Sequence, residues 1–335
     1  MKRILVVGGG LIGSRHLQAV QAHAGCELVG LADPDMSIQP DVPRLTNMGE
    51  ATGPVDGVII ATPTHLHASL GIEAAERGWH MLIEKPVAET LQSAQKLETA
   101  LRDKNIRSLV GHHRRYHAVV QQLKACLEDG LIGEVVNVSV IWAMRKPDTY
   151  FEDNWRTDGG SPVMINLVHD IDVLRFVIGE ITQTVALKGR AFRGSTRVES
   201  GAIALGFQNG AVGTISFSDT TPSPWGFEAG TGENPNIGTT KQDMMWITGT
   251  KGAISFPSMT VWMGTDWGTS AKPISFEPAQ NSRTPLEAQL DHFIDVINGA
   301  KPLIDVADAA LTLTIAQGLE NQLSAPNSNN ATKPA

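Results

Sequence analysis

The sequence predicts an α/β fold that begins with a doubly wound parallel sheet and continues into a second domain of α+β type. Up to about residue 120, short apolar strands alternate with helical patterns, and a glycine-rich turn follows the first strand. Beyond that point the pattern changes to half-exposed strands and a hairpin. Strand–helix alternation is typical of a parallel sheet with right-handed crossovers. We therefore expect a Rossmann dinucleotide-binding domain over residues 1–120, an α+β domain over 121–324 and a disordered tail over 325–335.

The strands of the first domain are predicted from apolar runs without charges, which are typical of sheets buried on both faces. These runs cover residues 4–7, 27–32, 58–61, 80–83 and 108–111, with helices expected near 13–22, 65–77 and 89–103. The second domain is predicted to open with a helix near 116–129 and a strand over 135–141. Asn209-Gly210 lies between two strand patterns and is a strong hairpin signal. Further strands are expected over 244–248, 252–256 and 260–263, and helices over 286–298 and 307–324.

Length, composition and charge indicate a globular protein of two domains and argue against several other classes of protein. The chain has 335 residues, which suits two domains, with 41% hydrophobic and 19% charged residues. A net charge of −8 argues against a nucleic-acid or acidic-membrane partner. No apolar run approaches the roughly 20 residues that a membrane span needs, and residues 4–12 look like a buried strand rather than a signal peptide. Two cysteines argue against a disulfide framework or a cysteine-based metal site, so we expect a cytoplasmic protein.

The glycine-rich turn fits the dinucleotide motif G-x-G-x-x-G, with Gly8, Gly10 and Gly13 around Leu11 and Ile12. It follows a predicted strand and opens a predicted helix. Glycines there permit the tight turn, the approach of a pyrophosphate and close helix–strand packing. The free N–H groups of the helix N-terminus attract phosphate.

Asp33 lies 20 residues after Gly13, at the end of the second strand. A carboxylate at this place accepts hydrogen bonds from the adenosine ribose and repels a 2′-phosphate. No arginine occurs in Pro34-Asp35-Met36, so NAD is favoured over NADP as the cofactor. The alternative is that Asp33 is only a turn residue before Pro34.

Two further turns carry candidate residues at the ends of predicted parallel strands, where α/β sheets bind ligands. The turn after the third strand contains Ala61, Thr62, Pro63 and His67, and sits where the nicotinamide half of a dinucleotide passes. Glu84-Lys85-Pro86 follows the fourth strand. Lys85 is a candidate acid or charge stabiliser, the alternative being a solvated surface lysine.

Five motifs of this chain occur in the order and spacing of one family. They are Gly8-Gly9-Gly10-Leu11-Ile12-Gly13, Ala61-Thr62-Pro63 with His67, Glu84-Lys85-Pro86, Gly111-His112-His113-Arg114-Arg115-Tyr116, and Trp155-Arg156 before Gly159-Gly160 and His169. With these motifs the chain resembles the Gfo/Idh/MocA oxidoreductases. The resemblance implies a Rossmann domain and a second domain with a large open mixed or antiparallel sheet, through which a dimer or tetramer would form. It also implies NAD(P)-dependent chemistry on sugars, polyols and related hydroxy compounds.

The resemblance further implies catalytic roles for Lys85 and His169. Many members carry an aspartate four residues before this histidine, where the present chain has Ile165. Asn166 or Asp172 could take over its positioning role. The alternative for His169 is a core histidine without a catalytic function.

Binding residues are expected around both catalytic candidates. Besides the glycine turn and Asp33, the expected cofactor contacts are Ala61, Thr62, Pro63, His67, Glu84, Lys85, Pro86 and Arg114. The expected substrate contacts are Arg115, Tyr116, Lys146, Tyr150, Trp155, Arg156, Asn166 and Asp172. Aromatic faces suit the C–H surfaces of sugars, and Lys146 or Arg156 could bind a carboxylate; a solvated loop stapled by aromatic residues is the alternative. A long irregular insertion over about 220–240 is a candidate lid or subunit contact.

The leading hypothesis is therefore an NAD-dependent dehydrogenase acting on a hydroxyl of a sugar, sugar acid or cyclic polyol, with no resident metal. Oxidation of a cyclic hemiacetal or semialdehyde and reduction of an imine are alternatives within enzymes. A catalytically silent NAD-binding sensor is the alternative from another class of protein.

Overall fold

The structure of this protein is a computed structural model. It describes residues 1–35, 42–152, 161–193, 197–264 and 272–325. The predictions for Trp155 and Arg156, and for the tail beyond Ala325, concern residues outside these ranges.

Within the described residues, 14 strands form two sheets. The strands are β1 (Lys2–Val7), β2 (Cys26–Ala32), β3 (Arg44–Leu45), β4 (Gly57–Ile60), β5 (His80–Ile83), β6 (Ser108–Val110), β7 (Val135–Ala143), β8 (Ile181–Lys188), β9 (Ser200–Phe207), β10 (Val212–Ser218), β11 (Met245–Gly249), β12 (Gly252–Phe256), β13 (Thr260–Met263) and β14 (Lys272–Ser275).

Eight α-helices connect and cover these strands in the described part of the chain. They are α1 (Leu11–Ala22), α2 (His67–Glu76), α3 (Leu91–Asp103), α4 (Ala118–Glu128), α5 (Val168–Val177), α6 (Phe227–Thr231), α7 (Pro285–Ile297) and α8 (Val306–Ser324). None of them is long and apolar enough to cross a membrane.

Threonine caps fix the start of two helices. The hydroxyl of Thr90 accepts a hydrogen bond from the Ser93 backbone N–H at the start of α3. At the start of α7, the Thr284 hydroxyl accepts from the Glu287 N–H while the Glu287 carboxylate accepts from the Thr284 N–H, which forms a capping box. Both motifs satisfy backbone N–H groups that the helix itself leaves without acceptors.

The first sheet has the strand order β3-β2-β1-β4-β5-β6, and every neighbouring pair is parallel. This arrangement confirms the predicted doubly wound parallel sheet. The strand order reverses between β1 and β4, which is where such sheets bind their ligands. The two-residue strand β3 was not predicted, because two residues carry no periodic hydrophobic signal.

The second sheet has the order β14-β13-β12-β11-β7-β10-β9-β8. Only the β7–β10 pair is parallel among the pairs described, so the sheet is mixed, as predicted. The predicted hairpin joins β9 to β10, with Gly210 at a φ of 87°. Strand β8 was not predicted, because its polar residues interrupt the apolar alternation. One face buries residues such as Val138, Val140 and Trp142, and the other face is open.

The chain divides into two compact units at different places from the predicted single boundary near residue 120. The first unit comprises Met1–His117 and Asn281–Thr314, and the second comprises Ala118–Gln280 and Ile315–Ala335. Helix α7 belongs to the first unit because its buried face packs on the parallel sheet. Phe293 and Ile297 lie so close to Gly57 that a Cβ there would overlap them. This packing joins residues more than 200 positions apart, and no local pattern of the sequence reports it.

Candidate functional site

The glycine turn after β1 is shaped by close backbone packing. Gly8 has a φ of 94°, and a Cβ at this position would lie 2.6 Å from the Ala61 carbonyl oxygen. A Cβ at Gly13 would overlap the Gly8 carbonyl oxygen. At Gly10, by contrast, a Cβ would meet no described atom within 4 Å, and Leu11 is 77% exposed. The turn therefore leaves open space in front of the α1 N-terminus, which has no side-chain cap and is suited to bind phosphate.

Asp33 lies beside this turn at the end of β2. Its Oδ2 accepts a hydrogen bond of 2.6 Å from the Gly9 N–H, and its Oδ1 accepts one of 2.7 Å from the Asp35 N–H. A carboxylate has about four lone-pair positions. The two backbone contacts thus fix its orientation and leave acceptor capacity for ribose hydroxyls.

Arg44 is a neighbour of Asp33 that sequence reasoning missed. Its guanidinium donates to the backbone oxygens of Asp33 and Asp35, at 3.5 Å and 2.6 Å. The parallel pairing of Leu31 with Arg44 brings it there from 11 positions downstream. The residues directly after Asp33, Pro34-Asp35-Met36, contain no arginine. Arg44 lies instead on β3, the strand that pairs with β2.

His67 is buried and bridges two turns of the sheet edge. Its Nδ1 lies 2.8 Å from the Pro86 carbonyl oxygen, and its Nε2 lies 2.8 Å from the Thr62 carbonyl oxygen. Burial lowers the pKa of the imidazole, and the two backbone contacts and the charge of Glu84 only partly offset this effect. Both ring nitrogens contact the protein itself. His67 thus links the two turns through its ring, and its expected contact with the cofactor stays a prediction.

Glu84 is also held inside the protein. Its Oε1 lies 2.9 Å from Nε2 of His16, and its Oε2 accepts a hydrogen bond from the Lys85 N–H at 3.1 Å. The side chains of Glu84 and His16 are almost fully buried. A Cβ at Gly111 would lie 2.7 Å from Oε2, so the carboxylate is packed against this backbone. These contacts lie beside Lys85, which is half-buried, on a turn where the Lys85–Pro86 peptide bond is cis. The contact expected between Glu84 and the cofactor stays a prediction.

The ionisation of Glu84 depends on its neighbours. Burial alone would raise the pKa of this carboxyl. The hydrogen bond and charge of His16, together with the charges of His113 and Lys85, outweigh burial and lower the pKa from 4.5 to about 2. A negative charge is therefore present behind Lys85 throughout the physiological range.

The residues after β6 mostly serve packing within the first unit. The Arg115 guanidinium donates to the Asp308 carboxylate at 2.8 Å and to the Leu303 carbonyl at 3.1 Å. The Tyr116 hydroxyl lies 2.7 Å from Nδ1 of His292. These contacts join the turn after β6 to the 281–314 segment, and the substrate contacts expected of Arg115 and Tyr116 stay predictions. Arg114 is 2% exposed.

In the second unit, three of the predicted substrate residues converge on a polar chain. Nζ of Lys146 donates to Oδ1 of Asn166 at 2.5 Å, and Nδ2 of Asn166 donates to Oε1 of Glu228 at 3.3 Å. Lys146 also lies over the rings of Trp142 and Tyr150, at 5.5 Å and 4.9 Å from their centroids. Sequence reasoning missed Glu228. It lies on α6, within the segment that was predicted to be irregular.

A second set of charges fixes the backbone of Lys146. The Arg193 guanidinium donates to the Asp219 carboxylate at 2.6 Å and to the Lys146 carbonyl at 2.8 Å. The Lys146 N–H in turn donates to the Asp219 carbonyl. Burial raises the pKa of Asp219, and Arg193 opposes this shift.

His169 lies on α5, directly after a π-helical turn over Val163–Leu167 that contains Ile165 and Asn166. Its side chain is 7% exposed. Asp172 on the same helix is 1% exposed. Asn166 makes the hydrogen bonds to Lys146 and Glu228, and the roles expected of Asn166 and Asp172 stay predictions.

Comparison with known proteins decides the family. The model for the oxidoreductase family with an NAD-binding Rossmann fold matches residues 2–112, and the model for the GFO/IDH/MocA C-terminal domain matches residues 120–255. The chain belongs to the Gfo/Idh/MocA family. This assignment confirms the predicted resemblance and covers more than half of the chain.

Individual relatives are distant. The rhizopine catabolism protein MocA of Rhizobium meliloti is 26% identical over 338 residues, which cover 96% of this chain and 95% of MocA. The 1,5-anhydro-D-fructose reductase of Ensifer adhaerens is 30% identical over 203 residues, which cover 58% of this chain and only 60% of the reductase. An oxidoreductase from Agrobacterium radiobacter, solved with NAD+, L-tartaric acid and magnesium, has a TM-score of 0.78 at 19% identity, with 96% of each chain covered.

The matching family model describes residues 2–112 as an NAD-binding Rossmann fold, in agreement with the predicted cofactor. The geometry fits the dinucleotide. The open surface at Gly10 and the uncapped α1 N-terminus suit the pyrophosphate, and the fixed carboxylate of Asp33 suits the ribose. Among the described residues, no group of three or more His, Cys, Asp or Glu side chains could hold a metal ion.

The buried Glu84 carboxylate predicts an acid-dependent part of the stability. Its pKa is about 2 in the folded protein and 4.5 ordinarily, so its contribution is present above pH 4.5 and is lost as the pH falls towards 2. By linkage this contribution is at most about 3 kcal/mol. Glu84→Gln should therefore reduce the loss of unfolding free energy between pH 5 and pH 3 in urea titrations. The exposed control Glu76→Gln should keep the wild-type loss, and an equal loss in Glu84→Gln would contradict the assigned ionisation.

Proposed function

We propose that this protein is an NAD-dependent dehydrogenase that oxidises a hydroxyl of a sugar, sugar acid or cyclic polyol. The observation that carries the proposal is the placement of Lys85. It follows β5 at the carboxyl edge of the parallel sheet, on a turn that His67 ties to the turn after β4. Ligands of doubly wound sheets bind at this edge. A lysine there is suited to act on the group that reacts with the nicotinamide.

Lys85 is proposed to stabilise the substrate oxygen. As a hydroxyl carbon loses hydride, negative charge grows on its oxygen, and a fixed ammonium group lowers the energy of that state. The ionised Glu84 carboxylate accepts a hydrogen bond from the Lys85 backbone N–H, so a negative charge lies beside the turn that carries the lysine. Bound NAD supplies the hydride acceptor.

His169 is proposed as the general base. A neutral imidazole takes the hydroxyl proton while the carbon–oxygen double bond forms, so that one hydride and one proton leave the substrate. The burial of His169 limits competing contact with water. The role is proposed from the family resemblance.

The substrate class is proposed from the chain of Lys146, Asn166 and Glu228. Alternating donors and acceptors beside the aromatic rings of Trp142 and Tyr150 suit a molecule that carries hydroxyls at its rim and C–H groups on its faces. The buried ammonium of Lys146 would also suit the carboxylate of a sugar acid. The names of the rhizopine and anhydrofructose relatives are consistent with such compounds.

The proposal is tested by NADH absorbance at 340 nm with NAD and a panel of polyols, aldonates and semialdehydes. Turnover with a polyol or an aldonate would support it. Turnover with semialdehydes alone would favour the hemiacetal or semialdehyde alternative. NAD binding without turnover across the panel would favour a silent sensor.

Lys85→Ala should lower kcat by about 10²–10³, because one preorganised charge is lost at the reacting oxygen. The NAD Kd, measured by fluorescence quenching, should stay within about twofold, because the lysine acts on the substrate. Lys96→Ala, an exposed lysine on α3, is the matched control and should keep the wild-type kcat. Near-normal turnover in Lys85→Ala would exclude this group from catalysis.

His169→Ala should lower kcat/KM by roughly 10²–10⁴ and remove the acid limb of its pH profile, because protonated imidazole cannot accept the hydroxyl proton. Melting temperature is measured on the same variant. A folded, active variant that keeps the acid limb would identify His169 as a core residue only.

Asp33→Ser should raise the affinity for NADP relative to NAD by about tenfold or more, because it removes a repulsive charge and leaves the Arg44 cation nearby. Kd values for both dinucleotides measure the effect. Asp33→Ser combined with Arg44→Ala should lose most of the gain. Equal NAD and NADP affinities in the unmodified protein would contradict the role of Asp33.

The open face of the second sheet is proposed to join copies of the chain. Val185 and Leu187 are 63% and 68% exposed on β8, and Val212 is 56% exposed on β10. Val185→Asp with Leu187→Asp should reduce the molar mass measured by light scattering, because charges cannot be buried in such an interface without a partner. The exposed Leu311→Asp on α8 is the control. An unchanged mass in the double variant would exclude this face.

A further inference from the structure

We propose that His16 and His67 are positioning residues that together fix the Glu84–Lys85–Pro86 turn and thereby the place of the Lys85 ammonium group. The proposal rests on the proposed catalytic role of Lys85. The two histidines hold the residues on either side of Lys85, one through a side chain and the other through the backbone.

His16 acts on the residue before Lys85. It lies on α1, three residues after Gly13, and is 1% exposed. Its Nε2 contacts Oε1 of Glu84 at 2.9 Å, while Oε2 of the same carboxylate accepts from the Lys85 N–H. The helix that begins at the dinucleotide turn is therefore joined to the backbone of Lys85 through one buried carboxylate.

His67 acts on the residue after Lys85. Its Nδ1 contacts the Pro86 carbonyl oxygen, and its Nε2 contacts the Thr62 carbonyl oxygen, both at 2.8 Å. The ring is 1% exposed. Burial favours the neutral ring, which carries one N–H. We assign this N–H to Nδ1, so that His67 donates to the Pro86 carbonyl and holds the Lys85 turn next to the turn after β4, which an apolar side chain of the same volume could not do.

Such directional support matters because Lys85 itself is only half-buried and has a long, flexible side chain. A displacement of a reacting group by about 1 Å can cost about 10² in rate. The backbone on both sides of the lysine is where such a displacement is most effectively prevented.

The two contacts can be separated with amide variants. The Asn side-chain nitrogen occupies roughly the place of histidine Nδ1, and the Gln nitrogen occupies roughly the place of Nε2. His67→Asn therefore keeps a donor towards Pro86, whereas His67→Gln places its donor towards Thr62 instead. At position 16 the order reverses, because Glu84 is contacted by Nε2: His16→Gln keeps the donor and His16→Asn loses it.

The experiment measures kcat, the NAD Kd and the melting temperature of these four variants and of Lys85→Ala. It also measures hydrogen exchange of the Lys85 amide in the protein without substrate. We expect kcat to be about tenfold lower in His67→Gln than in His67→Asn, and about tenfold lower in His16→Asn than in His16→Gln. NAD Kd should differ by less than about twofold within each pair, and Lys85 amide exchange should be faster in the slower variant of each pair.

Equal kcat values within each pair, or the same order of Asn and Gln at both positions, would overturn the proposal. So would a loss confined to NAD Kd. If His16→Asn does not fold because Glu84 loses its partner, the His67 pair decides alone, since it changes no charge pair. Full activity in Lys85→Ala would refute the catalytic role of the lysine. If Lys85→Ala is inactive but the kcat values of the histidine variants do not follow the expected order, only the positioning role is refuted.

Discussion

Parallel pairing of β1, β4 and β5 is the constraint on which the cofactor edge of the first unit depends. The register aligns Val7 with Ile60 and Ile60 with Ile83. The next backbone contacts continue this ladder, since the Ala61 N–H donates to Val7 and the Glu84 N–H donates to Ile60. Residues from three distant places in the chain therefore meet in one row at the carboxyl edge. Glycine is required at position 8 because the neighbouring backbone of Ala61 leaves no room for a side chain.

A buried negative charge organises the middle of this edge. Removing a carboxylate from water is costly, and an unpaired one would shift towards its neutral form. His16, His113 and Lys85 offset that cost at Glu84 and keep it ionised. The same carboxylate accepts from the Lys85 backbone, so its charge and its hydrogen bonds act at one place. The contacts of His16, Glu84 and His67 thus meet at the turn that carries Lys85.

In the second unit, polar residues from three separate segments also form a hydrogen-bonded chain. Lys146 follows β7, Asn166 lies in the π-helical turn before α5, and Glu228 lies on α6. Their hydrogen bonds connect an ammonium, an amide and a carboxylate in sequence. Glu228 brings a carboxylate to Asn166, next to Ile165, from a distant segment. Arg193 and Asp219 hold the Lys146 backbone in place. The position of the ammonium group is therefore restricted at the backbone end of its flexible side chain.

The sequence by itself determined the parallel sheet, the glycine turn, Asp33 and the motif that carries Lys85. These features depend on hydrophobic periodicity and on local backbone requirements, and both can be recognised in short segments of consecutive residues. Only the tertiary structure decided which polar side chains contact one another. His67, Glu84, Arg115 and Tyr116 each make polar contacts within the folded chain that no local pattern predicts. Strand pairing and packing between distant segments bring Arg44 to Asp33, His16 to Glu84 and Glu228 to Asn166. A buried polar group must find a partner wherever the fold supplies one, and that partner is set by the packing of the elements rather than by any local pattern.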